Sequence, residues 1–306
     1  MSHGCHLIVQ NRPIAAPLRI RLGIASILDG SPAIAPLRDA ASWHHHAPGR
    51  TFPLTDASQL EYFIDEGLIH SVLRPIKSGK EASVHLCRAN QRTTGVDLAA
   101  LKLYHPLHRR DFRDESTYRD GEWNPDRRMA KAIEQRTRFG RQVKGMVWVD
   151  REWETMRSLH AGGVSVPRPI ARTGDAVLMT YVGDEETPAP QLRSYRPADD
   201  GETAALFDQV LDAIVRMLHL NVVHADLSPF NLLVWQGVVT VIDLPQAVDP
   251  RKNQHAADLL HRDVARMCEW ASRHGVPRDA DRIAADLWTS WQLADLVPED
   301  LRGLAL

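Results

Sequence analysis

The order of apolar and polar residues predicts a helix followed by strands in the first half of the chain. Over residues 56–69 apolar side chains recur every three to four positions, as in a helix with one buried face, and Asp56 or Ser58 is its candidate N-cap. The residues on that face are Leu60, Phe63, Ile64 and Leu68. Alternation then predicts two strands around a glycine turn within 71–89, and a third strand over 96–105 that Pro106 ends.

The second half of the chain carries longer apolar stripes with helical spacing. One helix is predicted from Trp148 to the stop at Gly162-Gly163, and another over 202–220, where the apolar stripe is continuous. The turn Gln236-Gly237 joins two short strands. The other predicted elements are a strand over 176–182, a linker over 183–197, a helix over 255–275 and short helices towards Leu306.

Strands therefore precede helices, which predicts an α+β fold with a β-rich first lobe and a mainly helical second lobe. Residues 1–50 are rich in Pro, Ala and His without a period, and we expect a poorly ordered extension. Its run His44–His46 lacks a second ligand cluster at a metal-site spacing, which favours a solvated loop. The two lobes are assigned to 51–183, with a charged flexible segment at 105–145, and to 184–306.

Composition and charge limit the cellular compartment and the classes of binding partner that we expect for this chain. The net charge of -2 argues against bulk capture of nucleic acid or of an anionic membrane. The three cysteines are odd in number and far apart, which favours a reducing, cytoplasmic compartment. No apolar run approaches the ~20 residues of a membrane helix, and the N-terminal residues lack the order of a signal peptide. We therefore expect no membrane partner.

Three polar residues, Asp226, Asn231 and Asp243, lie among apolar segments of the second half. Carboxylates beside strands are costly to bury unless something pairs with them. Mg²⁺ takes carboxylate and amide oxygens together with phosphates, and phosphoryl transfer also needs a carboxylate that faces the acceptor hydroxyl. Each residue alone is also typical of a turn. Their spacing, in "HADLSPFN" and at the end of the next predicted strand, is that of a kinase catalytic loop and its metal-binding strand pair.

The first lobe supplies the residues expected around the nucleotide. Lys102, in the strand "ALKLY", occupies the place of a phosphate-pairing lysine, and Glu152 on the predicted helix is its candidate ion-pair partner. The turn "KSGKEASV" stands where a Gly-rich phosphate loop is usual. It offers a hydroxyl, a free backbone and a cation from Ser78, Gly79 and Lys80.

Five segments in this order resemble the RIO family of atypical protein kinases, and the resemblance runs from about Leu73 to Glu269. They are "SGKEASV", "ALKLY", "VLMTYVGDEETPAPQL", "HADLSPFNLL" and "VIDLPQAV". The resemblance implies a bilobal protein-kinase-like fold that uses ATP with Mg²⁺, or Mn²⁺ as an alternative. It also implies a Ser/Thr protein substrate and autophosphorylation, and a ribosomal particle or RNA-containing complex as a candidate partner.

The resemblance also implies a role for individual residues. Asp226 would be the catalytic aspartate, with Asn231 and Asp243 as Mg²⁺ ligands, and Asp243 would also accept phosphate in an aspartyl intermediate. Lys102 would hold the phosphates with Glu152. The hinge backbone at Thr180 and Val182, behind Met179, would bind adenine. Asp263 would brace the catalytic loop.

Several features depart from the better-known branches of the family. The segment between Trp123-Asn124-Pro125 and Trp148 is long and resembles the bacterial branch, whereas Pro245 occurs in one eukaryotic branch. That branch carries an N-terminal winged-helix domain, and we expect none here from the roughly seventy residues that precede the phosphate loop. No Ala-Pro-Glu motif follows Asp243, which leaves peptide docking and the substrate open.

Two alternatives to a protein kinase stay open on the sequence. Small-molecule phosphotransferases, such as aminoglycoside and choline kinases, share a His-x-Asp-x-x-x-x-Asn loop. An assembly factor gated by ATP hydrolysis would also need the same site. The charged segment 107–145 carries eleven Lys/Arg and seven acids. We interpret it as a substrate or partner element that orders on binding, against a solvated loop as the alternative.

Overall fold

The computed structural model describes residues 56–105 and 138–296, in which a five-stranded antiparallel sheet is followed by three long helices and a two-stranded hairpin. The sheet has the order β1-β2-β3-β5-β4, so β3 is its central strand. Its strands are β1 Ile69–Ser78, β2 Ala82–Ala89, β3 Leu98–Tyr104, β4 Pro169–Thr173 and β5 Ala176–Thr180. This α+β order confirms the predicted fold class.

Alternation along β3 places its side chains on two faces with different surroundings. Leu101 and its neighbours two positions away pack into a cluster with Phe63 of helix α1, Asp56–Asp65. Ala100 and Tyr104, on the opposite face, pack into the larger core shared with the helices. Lys102 alternates onto that second face, so the sheet itself directs this lysine towards the helical part of the molecule.

The larger core is built mainly by amphipathic helices that follow the sheet. The remaining elements are α2 Gln91–Thr94, α3 Arg138–Ala161, α4 Asp200–His219, β6 Leu232–Trp235, β7 Val238–Val241, α5 Ala256–Arg273 and α6 Ala280–Leu296. Asp199 caps α4 by accepting a hydrogen bond from the Glu202 N–H at 2.8 Å. The apolar stripe predicted for α4 is buried through Leu206, Val210 and Ile214.

Several predicted element boundaries are wrong. Helix α1 ends at Asp65, because Gly67 adopts φ 63° and the Leu68 N–H bonds back to the Phe63 carbonyl at 2.9 Å in a Schellman motif. Leu68 therefore leaves the helix, and Ile64 is 41% exposed instead of sharing the buried face. Strand β5 ends at Thr180 and not at residue 182. The predicted short helices of the tail are one helix, α6, as far as Leu296.

Helix α3 begins at Arg138, before the predicted start at Trp148, so the last residues of the segment predicted as flexible are helical. The rest of that segment, 106–137, and the N-terminal extension lie outside the described residues. The hairpin β6–β7 turns at Gln236 and Gly237 as predicted. Both residues have positive φ, 50° and 77°, which matches a type I′ turn.

Gly183, which follows β5, offers a sharp test of the local structure. Its φ is 136°, and an added Cβ would lie 2.6 Å from the Thr187 carbonyl oxygen and 2.9 Å from the Ala189 nitrogen. We expect Gly183→Ala to lower the free energy of unfolding by about 3 kcal/mol, because backbone atoms cannot yield as a flexible side chain can. Urea unfolding monitored by circular dichroism measures this loss.

Gly237→Ala is the matched control for that substitution. Gly237 also has a positive φ, but an added Cβ would meet nothing within 4 Å. Its cost should be limited to backbone strain of about 1 kcal/mol. Equal losses in the two variants would show that crowding around Gly183 is not what requires glycine there.

Candidate active site

The loop between α4 and β6 is held in an unusual backbone conformation by two side chains of α5. Ala225 has φ 65°, a region that non-glycine residues rarely adopt. Arg262 donates to the Ala225 carbonyl, and the Leu227 N–H donates to Asp263 Oδ1 at 3.0 Å. Asp263 is 2% exposed, and burial raises its pKa to about 8 despite the neighbouring arginines. The bracing role predicted for Asp263 is confirmed by this geometry.

The same loop presents the Asp226 carboxylate at the surface of the site. Its side chain is 46% exposed. Oδ1 accepts a hydrogen bond from Arg266 Nη1 at 2.9 Å, and Oδ2 accepts one from Asn231 Nδ2 at 3.4 Å. Sequence reasoning missed Arg266, although it lies three residues after Asp263 on α5 and therefore on the same helix face. The carboxylate is thus oriented by two donors while part of it stays open to an incoming group.

His224, which begins the motif, is buried and neutral. Its Nδ1 accepts from the Asp226 N–H at 3.3 Å, and its Nε2 lies 3.2 Å from the Ile242 carbonyl oxygen, to which it donates. Burial lowers the pKa of His224. A proton on Nδ1 would face the Asp226 N–H, which is itself a donor, so the proton lies on Nε2. In this neutral tautomer His224 links the loop to the segment that carries Asp243.

A pH dependence of stability follows from this histidine. In the unfolded chain a histidine takes up a proton near pH ~6.5, whereas the folded protein resists it, so acid favours unfolding. We expect His224 to contribute a loss of up to about 1.4 kcal/mol per pH unit below that value. Urea midpoints between about pH 7.5 and 5.5 should show a shallower slope for His224→Gln. The exposed His160→Gln should keep the wild-type slope, and equal slopes in all three proteins would contradict the assignment.

Asn231 and Asp243 are brought together across the start of the β6–β7 hairpin. The Ile242 N–H donates to the Asn231 carbonyl at 2.9 Å, so Asp243 follows directly beside it. The Asn231 amide nitrogen donates to the Asp226 carbonyl at 2.9 Å, which leaves Oδ1 as the acceptor for a cation. Asp243 lies two residues beyond the end of β7, not at its end as predicted, and has φ 67°. Both groups offer oxygen atoms of the kind that Mg²⁺ takes as ligands, and their role as metal ligands stays a prediction.

Lys102 joins the two halves of the site. Its Nζ lies 2.7 Å from Glu152 Oε1 and 3.3 Å from Asp243 Oδ1. Burial disfavours the ammonium, but the two carboxylates outweigh it and raise the pKa of Lys102. Glu152 is 1% exposed, so its charge depends on this lysine. The predicted Lys102–Glu152 pair is confirmed, and its contact with Asp243 is new.

Asp243 itself stays ionised at neutral pH. Burial opposes its charge, yet the ammonium groups of Lys102 and Lys77 hold the pKa of Asp243 below its usual value. Lys77 is a cation that sequence reasoning missed, although it is the first residue of the segment "KSGKEASV" that was compared with a phosphate loop. It precedes Ser78, the last residue of β1. A carboxylate with nearby cations can serve as a metal ligand or as a nucleophile.

The predicted phosphate loop forms the turn from β1 to β2. Ser78 ends β1, and the Gly79 N–H donates to the Ala82 carbonyl at 2.9 Å, which closes the turn. Lys80 is exposed at its tip. The turn lies at one end of the same hairpin from which Lys77 acts on Asp243.

The predicted adenine-binding residues lie where β5 passes into the following segment. Met179 is 8% exposed and pairs with Ala100 of β3. The Thr180 N–H donates to the Arg168 carbonyl at 2.9 Å, so the Thr180 carbonyl is the backbone group that this residue can offer to adenine. Among the described residues, no hydrogen bond uses the Val182 N–H. If the hinge binds adenine as predicted, Val182 would be the donor and Thr180 the acceptor.

Within the described part of the chain, no three His, Cys, Asp or Glu side chains form a cluster that could hold a metal ion. Over the same residues, no helix combines the length and the apolar character needed to cross a membrane. The run His44–His46 lies outside these residues.

Comparison with known proteins agrees with this geometry. A family model of the RIO domain matches residues 84–283. The RIO-type serine/threonine-protein kinase Rio1 of Thermoplasma acidophilum is 37% identical over 137 residues, which cover 45% of this chain and 70% of that protein. Rio1 of Haloferax volcanii is 30% identical over 222 residues, covering 72% and 70%. Human serine/threonine-protein kinase RIO1 is 28% identical over 214 residues, and this chain spans only 35% of its length.

A solved structure supports the fold. The crystal structure of the Rio2 kinase-ADP/Mg²⁺-phosphoaspartate complex from Chaetomium thermophilum aligns with a TM-score of 0.55 at 22% identity, over 76% of this chain and 65% of that one. The comparisons do not test the likeness to a bacterial branch, which stays a prediction. The RIO-domain model covers more than half of the chain and the Haloferax relative is similar over most of its length, so the chain belongs to the RIO family of serine/threonine-protein kinases.

Proposed function

We propose that this chain transfers the γ-phosphate of ATP to a serine or threonine hydroxyl, including its own. One observation carries the proposal: Lys102 Nζ lies 3.3 Å from Asp243 Oδ1 and 2.7 Å from Glu152 Oε1. A cation that is held between a buried carboxylate and a half-exposed carboxylate can bind phosphates next to a metal site. None of these three residues is close to another in sequence, so the fold has assembled them.

Each site residue then has a defined role. Asp226 faces the acceptor hydroxyl and takes its proton as the oxygen attacks the γ-phosphorus, while the bond to the β–γ bridging oxygen breaks and ADP leaves. Lys102 holds the phosphates, and Glu152 orients Lys102. The turn residues Ser78, Gly79 and Lys80 cover the phosphates, and Thr180 and Val182 bind adenine beside Met179.

The metal that the family implies fits the residues present. Asn231 Oδ1 and the Asp243 carboxylate would hold Mg²⁺, or Mn²⁺, with phosphate oxygens as further ligands. When bound, the metal supplies positive charge that stabilises the transferring phosphoryl group. The chain's own contribution is geometric, because Asn231 Nδ2 is fixed by the Asp226 carbonyl and its oxygen is left for the cation.

ATP hydrolysis through Asp243 is a second candidate activity. The Asp243 side chain is 47% exposed and its pKa is lowered against burial by Lys102, so an ionised nucleophile is present. A carboxylate oxygen would attack the γ-phosphorus, ADP would leave, and water would then release phosphate from the aspartyl group. The Rio2 structure from Chaetomium thermophilum is an ADP/Mg²⁺-phosphoaspartate complex.

The cellular setting belongs to the same proposal. We place the protein in the cytoplasm, with an unidentified protein substrate and a ribosomal particle or RNA-containing complex as candidate partner. The segment 107–145 is the proposed partner element, of which only the helical residues from Arg138 are described.

Incubation with Mg²⁺ and γ-labelled ATP tests the two activities together. Label on serine or threonine survives acid and should vanish in Asp226→Asn. Label on Asp243 should be released by hydroxylamine and should persist in Asp226→Asn. Labelling of added aminoglycosides or choline without any labelled protein would instead favour a small-molecule kinase.

A further inference from the structure

A large pocket opens beside Asp226, and Asn231 is the one residue of its lining that is assigned above to the nucleotide or its metal. Its volume is about 880 Å³. One wall is the catalytic loop from Asp226 to Asn231, and another is the C-terminal part of α5 from Arg266. The third wall is the segment 193–196, which sequence analysis treated as linker. Because the pocket reaches the carboxylate that faces the acceptor hydroxyl, it is placed to hold the acceptor.

Positive charge dominates this acceptor pocket. Four arginines line it, against two carboxylates. Two of the arginines are already paired, Arg266 with Asp226 at 2.9 Å and Arg273 with Glu269. Within the described residues, Arg193 and Arg196 have no carboxylate partner and are exposed. Two guanidinium groups are therefore available for an anionic group on a ligand.

Arg193 is fixed to the catalytic loop rather than free to move with the surrounding segment. Its backbone N–H donates to the Pro229 carbonyl at 2.9 Å, and the neighbouring Gln191 Nε2 donates to the Phe230 carbonyl at 2.5 Å. The Arg193 guanidinium lies 4.3 Å from the centre of the Phe230 ring, which is 52% exposed. A cation held in this way loses little conformational entropy when it binds an anion.

We propose that the pocket binds peptide segments in which carboxylates flank the acceptor serine or threonine, and that Arg193 and Arg196 read those carboxylates. The inference rests on the proposed kinase function and names its substrate class. A carboxylate suits the planar fork of arginine, and the exposed Phe230 ring offers an apolar surface to a neighbouring side chain. Asp226 would repel an acidic chain by itself, but Arg266 already compensates its charge.

Fluorescence anisotropy on the full chain tests the inference without requiring catalysis. The probes are a labelled peptide with one serine among glutamates and the same peptide with glutamines. We expect the glutamate peptide to bind about tenfold more tightly, and this preference should weaken with added salt. Arg193→Glu/Arg196→Glu should abolish or reverse the preference, and the milder Arg193→Gln/Arg196→Gln should reduce it.

The matched control reverses two exposed arginines that do not line the pocket, Arg92 of α2 and Arg282 of α6. Arg92→Glu/Arg282→Glu changes the net charge equally and should keep the preference. Equal loss in this control, or equal binding of both peptides by wild type, would overturn the inference. If autophosphorylation persists in that case, the kinase function stands. Charge-dependent binding without any phosphate transfer would support the pocket and overturn the kinase function instead.

Discussion

Asp243→Asn is expected to lower Mg-ATP turnover by about a thousandfold while the protein stays folded. The substitution keeps the size of the side chain but removes the charge that faces Lys102 at 3.3 Å and that would bind the metal. It also removes the nucleophile of the proposed aspartyl intermediate, so both candidate activities should be lost. Folding should survive, because asparagine tolerates the positive φ of 67° at this position.

Asp249→Asn is the matched control for this substitution. Burial opposes the charge of Asp249, but Arg251 and Lys252 lower its pKa, so it is another partly buried aspartate with cationic partners. It lies beyond the residues assigned to the metal and the nucleotide. Phosphate release assays on both variants, with thermal melting as a check on folding, should separate them. Turnover in Asp243→Asn equal to that in Asp249→Asn would remove Asp243 from the site.

The residues of the site could be predicted because each lies inside a short motif with its own chemistry. Asp226 and Asn231 are five positions apart on one loop, and Lys102 lies in an alternating strand that fixes its face. The pairing with Glu152, fifty residues away, could be predicted only by resemblance to kinases. Its confirmation at 2.7 Å shows that the resemblance extends to tertiary geometry.

The predicted start of α3 is too late, because two glycines weaken the helical signal there. Its first residues, "RFGRQVKGMV", carry apolar side chains at helical spacing (Phe139, Val143, Met146, Val147), but also Gly140 and Gly145, which have low helix propensity. Those residues favour a loop when local propensity is considered alone. The helix that the structure has there continues the element carrying Val149 and Met156, both buried in the larger core. Tertiary packing of the later turns therefore overrides weak propensity in the earlier ones.

The acceptor pocket was missed for a different reason. Arg193 lies in a stretch rich in Pro and acidic residues, which is typical of a linker. Backbone contacts place it beside Asp226: the Arg193 N–H donates to the Pro229 carbonyl of the catalytic loop at 2.9 Å, and the Leu192 N–H donates to the Leu232 carbonyl of β6 at 2.8 Å. Such contacts leave no periodic signal in the sequence. In the folded protein, Arg193 and Arg266 line the same pocket as the Asp226 carboxylate.

Lys102→Met is expected to cause two separable losses. Glu152 would remain at 1% exposure without its ammonium partner, and its Oε2 already lacks a hydrogen-bond partner among the described residues. We expect the free energy of unfolding to fall by about 3 kcal/mol, because an unpaired buried carboxylate is costly. ATP affinity should fall as well, because the proposed phosphate-holding cation is gone.

The double substitution Lys102→Met/Glu152→Gln separates the structural loss from the functional one. Removing the buried charge together with its partner should restore most of the stability but none of the ATP affinity. Glu152→Gln alone should reduce turnover less than Lys102→Met, because Lys102 keeps its contact with Asp243 at 3.3 Å. Urea unfolding and calorimetric titration with Mg-ATP measure the two effects on the same samples.

A pH signature identifies the buried carboxylate as the source of the instability. Without Lys102 the folded protein should favour neutral Glu152, so its folded pKa would lie above the unfolded value of about 4.3. Between those two pKa values the folded state holds more protons, and the stability of Lys102→Met should therefore rise as the pH falls. The double variant lacks the titrating group and should show no such gain. The assigned role of this pair would be refuted if the loss of stability in Lys102→Met stayed constant from neutral pH to about pH 5. Wild-type ATP affinity in the double variant would refute it as well.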